Sequence, residues 1–475
     1  MMDRRRRPNI LYILTDQMRS TAMGCAGVEK VKTPNIDRLA AQGTRFTNAV
    51  ANTPSCAPSR GTILTGLHTL SHGVVNNEIQ VKNDGPTFAG ALTDNGYKCG
   101  YIGKWHLDGG PRTGFTPPGR RRLGFDDYWA VANCTHDYMS SFYYTEEPKP
   151  EFIDGYEPIH QTDLAIDFMN KKADADDPFF LVLSIGTPHD PYREMPPELL
   201  ERYQPEDVEF METNSIYVPG EVMQAKKDVL AGYYAHIMAL DDQVARLEET
   251  LKEQGLYEDT IVVFTADHGD MLGNQNQFYK SQPWRESVGI PLLMRWPGNI
   301  PEGRVTDAPI SLIELTSSLL TLTGTDIPEA MQGDDLSALI LGDESAAPDS
   351  VFINFAVDVH CIPAPPFRGV VTRMHTYAET VDGPWLLYDD KADPFQKNNL
   401  ITWANRDNPE IVELQQALHK KLEYWLERTN DPFDDGDVVS DKYQPGHVGG
   451  VRPIEDPPDY FPPLPPNSTA VGTKK

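Results

Sequence analysis

Cys56 stands in the run Ser55-Cys56-Ala57-Pro58-Ser59-Arg60-Gly61-Thr62-Ile63-Leu64-Thr65-Gly66. A free cysteine is usually a small buried hydrophobe, and read alone one near a Pro and an Arg means little; only the whole run from Cys56 to Gly66 singles it out. Two further pairs, Asp16-Gln17 and Asp267-His268, each follow an apolar, β-rich run. Carboxylates, an amide oxygen and an imidazole at strand ends can converge on one hard divalent cation. Lys104 and Lys280 can supply fixed positive charge where anionic charge accumulates, and Arg60 can do the same. His106 and His189 carry imidazoles whose ordinary pKa lies near neutrality, which suits proton transfer in either direction. Together these residues could hold a cation, bind an anion and move protons.

The elements that must position them follow an alternating rhythm. Residues 8–15 read as a strand, and Thr33-Pro34-Asn35 opens a helix that ends near Gly43. A helix over 87–95 stops at Gly96 and is followed by a strand over 97–102. A helix over 162–171 precedes a strand over 179–185, and a long helix over 220–254 precedes a strand over 260–265. Such alternation predicts a mostly parallel central sheet flanked by helices, with functional groups at the carboxyl ends of the strands. After residue 347 the pattern changes to short, closely spaced strands at 351–357, 369–373, 376–379 and 385–388. An amphipathic helix over 409–428 follows, carrying Ile411, Leu414, Leu418, Leu422 and Trp425 on one face. We therefore divide the chain into a catalytic α/β domain (1–347), a smaller α+β subdomain of antiparallel strands and a helix (348–430), and a Pro-rich extended tail (431–475). The tail has too little apolar surface for a core of its own and is expected to drape over the body or a neighbouring subunit.

The Cys56 run resembles the signature of the formylglycine-dependent (type I) sulfatases, C-x-P-S-R followed by L-T-G. The similarity continues through Pro8-Asn9-Ile10-Leu11 into Thr15-Asp16-Gln17, Thr33 to Ala40, Gly103-Lys104-Trp105-His106-Leu107, Thr187-Pro188-His189 and Thr265-Ala266-Asp267-His268-Gly269, in the family's order. The segments Leu387-Tyr388-Asp389 to Asp393-Pro394 and Asn398-Asn399-Leu400 are like the family's carboxyl-terminal subdomain. The resemblance implies an alkaline-phosphatase-like fold and oxidation of Cys56 to formylglycine by a maturation enzyme. Its hydrated aldehyde attacks sulfur with one hydroxyl and expels sulfate with the other. It further implies one divalent cation held by Asp16, Gln17, residue 56, Asp267 and His268, with calcium favoured and manganese or magnesium as alternatives. Asp267 would take the attacking proton, Lys104 and Lys280 would bind sulfate oxygens, and Arg60 would stabilise the diol. His189 would protonate or bind the leaving oxygen, and His106 would assist expulsion of sulfate. Many family members carry Asp-Asp and Asp-Asn where this chain has Asp16-Gln17 and Asp267-His268, pairs that also occur in related phosphonate and phosphate ester hydrolases.

Substrate choice is expected to lie in the segment 108–144, which interleaves Arg112, Arg120, Arg121 and Arg122 with Trp129, His136 and Asp137. Long loops at strand ends build pockets, and arginines with aromatics suit an anionic or sugar-like ligand. Asp108, Arg112, His136 and Arg285 are the candidate substrate contacts, whereas His72, beside Gly73, reads as structural. A carbohydrate sulfate monoester is the leading substrate. The alternatives are a phosphonate monoester or phosphodiester hydrolase of the same superfamily, and a sulfatase-like binding protein without turnover.

Composition narrows the field from the other side. The 475 residues carry 42 Lys and Arg against 70 Asp and Glu, a formal charge of −28, which speaks against a nucleic-acid partner. At 39% hydrophobic residues the chain can fill a large core. Its longest apolar runs fall far short of the roughly 20 residues needed to cross a bilayer, so no membrane partner is expected. The four arginines after Asp3 lead into no signal-peptide pattern, which points to the cytoplasm, or to the periplasm if a leader is missing. Cys25, Cys56, Cys99, Cys134 and Cys361 are too few and too scattered for a disulfide framework; most are expected to be buried thiols, with Cys56 the exception. A homo-oligomer formed through the tail is conceivable.

Overall fold

The computed structural model describes residues 7–82, 84–173, 175–211, 221–357 and 365–434. The Pro-rich segment from 435 onward and Cys361 lie outside the described residues. Among them, eight strands form one sheet: β1 (Asn9–Asp16), β2 (Thr44–Phe46), β3 (Lys98–Lys104), β4 (Tyr128–Ala132), β5 (Phe179–Pro188), β6 (Thr260–Ala266), β7 (Leu292–Arg295) and β8 (Arg304–Thr306). Their spatial order is β8-β2-β7-β6-β1-β5-β3-β4. The run from β6 to β4 is parallel throughout, while β7 runs antiparallel to both neighbours. Every residue of β1, β5 and β6 is buried, as expected for parallel strands covered on both faces.

The helices are α1 (Pro34–Ala41), α2 (Cys56–Thr65), α3 (Phe88–Asp94), α4 (Glu157–Lys172), α5 (Glu221–Glu253) and α6 (Leu312–Leu322). Thr87 starts α3 by accepting from Gly90 N, and Ser311 with Glu314 forms a capping box on α6. Helix α4 begins at Glu157, five residues before the expected start, because Pro158 is preorganised for a first helical turn. All of α2 is buried. Behind it, an added Cβ on Gly61 would meet the His72 ring at 2.7 Å, so only glycine admits this contact. His72 bonds Thr62 Oγ1 (3.2 Å) and accepts from Val74 N (3.1 Å), and burial holds its pKa down to about 3, a packing role.

The second sheet is antiparallel and runs in chain order: β9 (Val351–Phe355), β10 (Phe367–Val371), β11 (His375–Thr380) and β12 (Gly383–Asp389). Helix α7 (Pro409–Thr429) lays Leu418, Leu422 and Trp425 against Phe352, Val370, Tyr377 and Leu387 on one face of this sheet. The other face packs Val351, Ile353 and Phe355 against Val50, Val75 and Val288 of the main body. Asn52 clasps β9 through Asn354 N→Asn52 O (2.7 Å) and Asn52 Nδ2→Phe352 O (3.0 Å), so the second sheet braces the segment that leads into Cys56. Asp431 pairs with buried Arg368, Nη2 to Oδ1 at 2.9 Å, and so ties the chain after α7 to β10.

Candidate active site

Four adjacent parallel strands, β6, β1, β5 and β3, end at one edge of the sheet and carry Asp267, Asp16, His189 and Lys104 at or just beyond their last residues. The β1–β5 register shifts between Thr15 and Asp16, which re-aims the Asp16 side chain. Helix α2 points its first turn at this edge, so Cys56 sits where free backbone N–H groups favour negative charge. The edge thus brings together residues separated by up to 263 positions in sequence, as in the bond from Lys280 Nζ to Gln17 Oε1 (2.8 Å).

Ligand atoms of Asp16, Cys56, Asp267 and His268 lie within 4.8 Å of one another, and all four residues are buried. Cys56 Sγ is 3.7 Å from Asp16 Oδ1 and 3.3 Å from His268 Nε2. His268 Nδ1 is bonded to Gly269 O at 2.8 Å, which fixes the tautomer and leaves Nε2 as the coordinating atom. Two hard carboxylates and an oriented imidazole fit a divalent cation. Gln17 is in place, but its Oε1 accepts from Lys280, and its Nε2 donates to Asp270 (2.7 Å) and Tyr192 (3.3 Å).

Positive charge surrounds this cluster. Lys280 Nζ lies 3.0 Å from Cys56 Sγ and 2.9 Å from His189 Nε2. Lys104 Nζ lies 3.8 Å from the same sulfur, 2.5 Å from Asp16 Oδ2 and 3.0 Å from His136 Nε2. Arg60 is wholly buried and bonds Asp267 Oδ2 (3.0 Å), Lys104 O (2.7 Å) and Ser184 Oγ (2.6 Å), with Asp16 Oδ2 at 3.4 Å. It therefore grips the two carboxylates, and its hydrogen bonds do not include the Cys56 sulfur. Burial alone would push the Cys56 thiol up, but Lys104, Lys280 and His268 outweigh it and hold the thiol well below its ordinary value. Against the same burial cost, Lys104, His189 and Arg60 keep Asp16 charged. The site is thus built to hold an anion at position 56.

His189 Nδ1 is bonded to Asp190 O (2.8 Å), leaving Nε2 toward Lys280, and its ring stacks on His136 at 4.0 Å. His136, expected to line the pocket, is thereby part of the site. His106 has left-handed backbone (φ 57°), and the thiols of Cys56 and Cys134 lie beside its ring. Burial opposes its protonation, yet Cys134 and Glu78 raise its pKa to about 10. Arg112 is half-exposed and donates from Nε to Glu78 Oε1 at 2.6 Å.

Two expected substrate contacts are placed elsewhere. Arg285 is turned away from the cluster because its guanidinium donates to Asn48 Oδ1 (2.8 Å) and Thr47 O (3.3 Å), where it ties β2 to the second sheet's flank. Asp108 is paired with Arg121, so its carboxylate is spent on the loop wall. Residues not anticipated from sequence are Glu78, the Tyr192–Asp270 pair (2.7 Å) that holds Gln17, and Asn77, whose Oδ1 accepts from Ala57 N (3.0 Å). None lies in a recognisable motif. Of the expected buried thiols, Cys99 and Cys134 are buried and Cys25 is partly exposed.

Comparison with known proteins places this geometry. The Sulfatase family model matches residues 8–325, and the model of the N-sulphoglucosamine sulphohydrolase carboxyl-terminal region matches 273–428. An ulvan-active sulfatase of Formosa agariphila is 38% identical over 442 residues, covering 92% of this chain and 84% of that protein. A crystal structure of a Bacteroides fragilis protein described as a sulfatase superposes with a TM-score of 0.81 at 30% identity, covering 91% of this chain and 98% of the other. A Bacteroides thetaiotaomicron structure, reported for the metabolism of multiple glycosaminoglycans, superposes at 0.79 with 25% identity, covering 92% and 100%.

Proposed function

The chain belongs to the sulfatase family and is a sulfuric ester hydrolase; from that premise we propose that it cleaves a sulfate monoester of a carbohydrate, using residue 56 as formylglycine and calcium as the cation. The observation that carries this reading is the convergence of Cys56 with Asp16, Asp267 and His268 inside a ring formed by Lys104, Lys280, His106 and His189. The carboxylates of Asp16 and Asp267 support calcium, with magnesium as the other oxygen-preferring ion, while the His268 imidazole keeps manganese as a competitor. When bound, the cation supplies Lewis acidity toward the sulfate oxygens and the residue 56 hydroxyl. Formylglycine, produced from Cys56 by a dedicated maturation enzyme, supplies a geminal diol with one hydroxyl for attack and one for release of sulfate.

The remaining work falls to the chain's own side chains. Lys280 and Lys104 neutralise the non-bridging oxygens, since both already flank the Cys56 sulfur. Arg60 holds Asp16 and Asp267 aligned, and Asp267 accepts the proton of the attacking hydroxyl. His189 presents Nε2 beside Lys280 and protonates the departing sugar oxygen. His106, beside residue 56, assists the second hydroxyl in expelling sulfate.

Carbohydrate preference is supported by half-exposed Arg112, which reaches Glu78 beside His106, and by the glycosaminoglycan context of the Bacteroides thetaiotaomicron structure. Parallel turnover of sulfated saccharides, an aryl sulfate and the matching phosphate and phosphonate esters tests the proposal. The reading predicts the highest kcat/KM on a sulfated saccharide; a preference for the phosphorus esters would replace it with the phosphohydrolase alternative raised by Asp16-Gln17 and Asp267-His268.

A further inference from the structure

Glu78 belongs to no motif, yet its carboxylate connects the inside of the site to its mouth. Its Oε1 lies 3.4 Å from His106 Nε2 and accepts from Arg112 Nε at 2.6 Å. Glu78 and His106 both hold left-handed backbone, φ 64° and 57°, a conformation that non-glycine residues keep only where the surroundings impose it. Those surroundings are visible. Asn77 Oδ1 accepts from Ala57 N, next to residue 56, Val81 N donates to Leu107 O (3.0 Å), and Gln80 bridges Asp108. The loop carrying Glu78 is therefore fastened on one side to the helix that presents the nucleophile and on the other to the segment that presents His106. Besides the thiols of Cys56 and Cys134, Glu78 is the side chain that meets the His106 ring among the described residues, and it does so at Nε2.

We propose that Glu78 is a positioning residue: its carboxylate holds the His106 ring with Nε2–H toward Oε1 and so leaves Nδ1 as the nitrogen turned to proton transfer, while Arg112 anchors the carboxylate from the solvent side. The proposal deepens, and rests on, the sulfate-ester reading of the same site. Arg112 is suited to the anchoring role because its guanidinium reaches Glu78 through Nε while the side chain stays half-exposed at the entrance. Although partial burial opposes ionisation, His106 and Arg112 keep the carboxylate charged, with a pKa down to about 2. Glu78 touches no reacting atom in this arrangement and acts through the imidazole.

The test compares matured wild type with Glu78→Ala and Glu78→Gln, using 4-nitrophenyl sulfate as a small probe that does not depend on the outer loops. Glu78→Ala is expected to lower kcat about tenfold or more with KM changed less than about threefold, and Glu78→Gln, which keeps an acceptor oxygen, to recover part of the loss. Ring-nitrogen NMR of 15N-histidine-labelled protein should show one fixed, hydrogen-bonded Nε2 environment for His106 in the wild type and an averaged one in Glu78→Ala. A kcat within twofold of wild type in both variants overturns the proposal, as does a rise in KM alone, which would make Glu78 a substrate contact. If Glu78→Ala does not fold, the isosteric Glu78→Gln decides by the same two readouts. If the wild type hydrolyses no sulfate ester, the functional reading fails, and the NMR comparison still decides whether Glu78 fixes the ring.

Discussion

The floor of the site and its rim obey different rules. The floor consists of Asp16, Cys56, Arg60, Asp267 and His268, all at most 1% exposed, set on the ends of parallel strands or the first turns of a buried helix. The rim consists of Glu78, Arg112 and Arg121, whose side chains are exposed enough to exchange partners with solvent, with Asp108 buried behind Arg121. On the floor each carboxylate is gripped by a cation that burial makes hard to remove, so charge is preorganised at no cost during the reaction. On the rim the same residue types pair in water, where an ion pair contributes little to stability and its geometry can change with the ligand. The contrast teaches that the reaction is built into the sheet, while selection among substrates is left to loops.

Asp267→Asn attacks the floor and should have the largest effect. Removing one carboxylate leaves Arg60 and the cation short of a partner, so kcat/KM should fall on the order of 10³-fold or more, with loss of the bound divalent ion on elemental analysis. Retention of a tenth of the activity with full metal content would break the distinction between floor and rim. Next comes His189→Ala, expected to cost about 10²-fold in kcat on a sugar sulfate and less on an aryl sulfate, whose better leaving group needs less protonation. Equal losses on both substrates would assign His189 to binding.

The frame under the floor shows itself through pH. Burial holds His68, His72 and His236 down to about 3, so all three fold neutral. The unfolded chain takes up these protons first, near pH 6.5, so the stabilisation is complete above about pH 6.5 and is lost as pH falls towards 3. Denaturant midpoints measured from pH 7 to pH 4 should decline, and His72→Gln should flatten the slope; a flat wild-type profile would show that these rings protonate inside the fold. The smallest effect belongs to the rim. Arg121→Gln breaks an ion pair whose arginine side chain is 37% exposed and should shift stability by less than about 1 kcal/mol. Its kcat on a small aryl sulfate should stay within about twofold, with larger changes confined to extended saccharides. A loss comparable to that of His189→Ala would place the segment around Asp108 inside the machinery.

The same contrast explains what could be read from the sequence. The strands that end in Asp16, Lys104, His189 and Asp267 are runs of buried β-formers, and short motifs mark where each stops, so both the sheet and its functional edge were legible. The sheet's outer strands β2, β7 and β8 are only three or four residues long, too short for periodicity to separate them from loop, and the antiparallel course of β7 went unread with them. Lys280 sits between Tyr279 and Ser281, both left-handed (φ 64° and 67°), a geometry that no propensity encodes; only its neighbours hinted at it. Arg285 was misplaced because an arginine near Lys280 in sequence is carried by a short helical turn towards Asn48. Glu78 left no trace because its two partners lie 28 and 34 residues away in loops.

The central claim is that residue 56, oxidised, is the nucleophile of a sulfate ester hydrolase. Peptide mass spectrometry of the segment around position 56, on enzyme whose turnover number has been measured in the same preparation, tests it most directly. The account predicts that turnover rises in proportion to the fraction of chains carrying the aldehyde, recognised by the mass lost when a thiol becomes an aldehyde. Full turnover by chains that all retain the Cys56 thiol would contradict it.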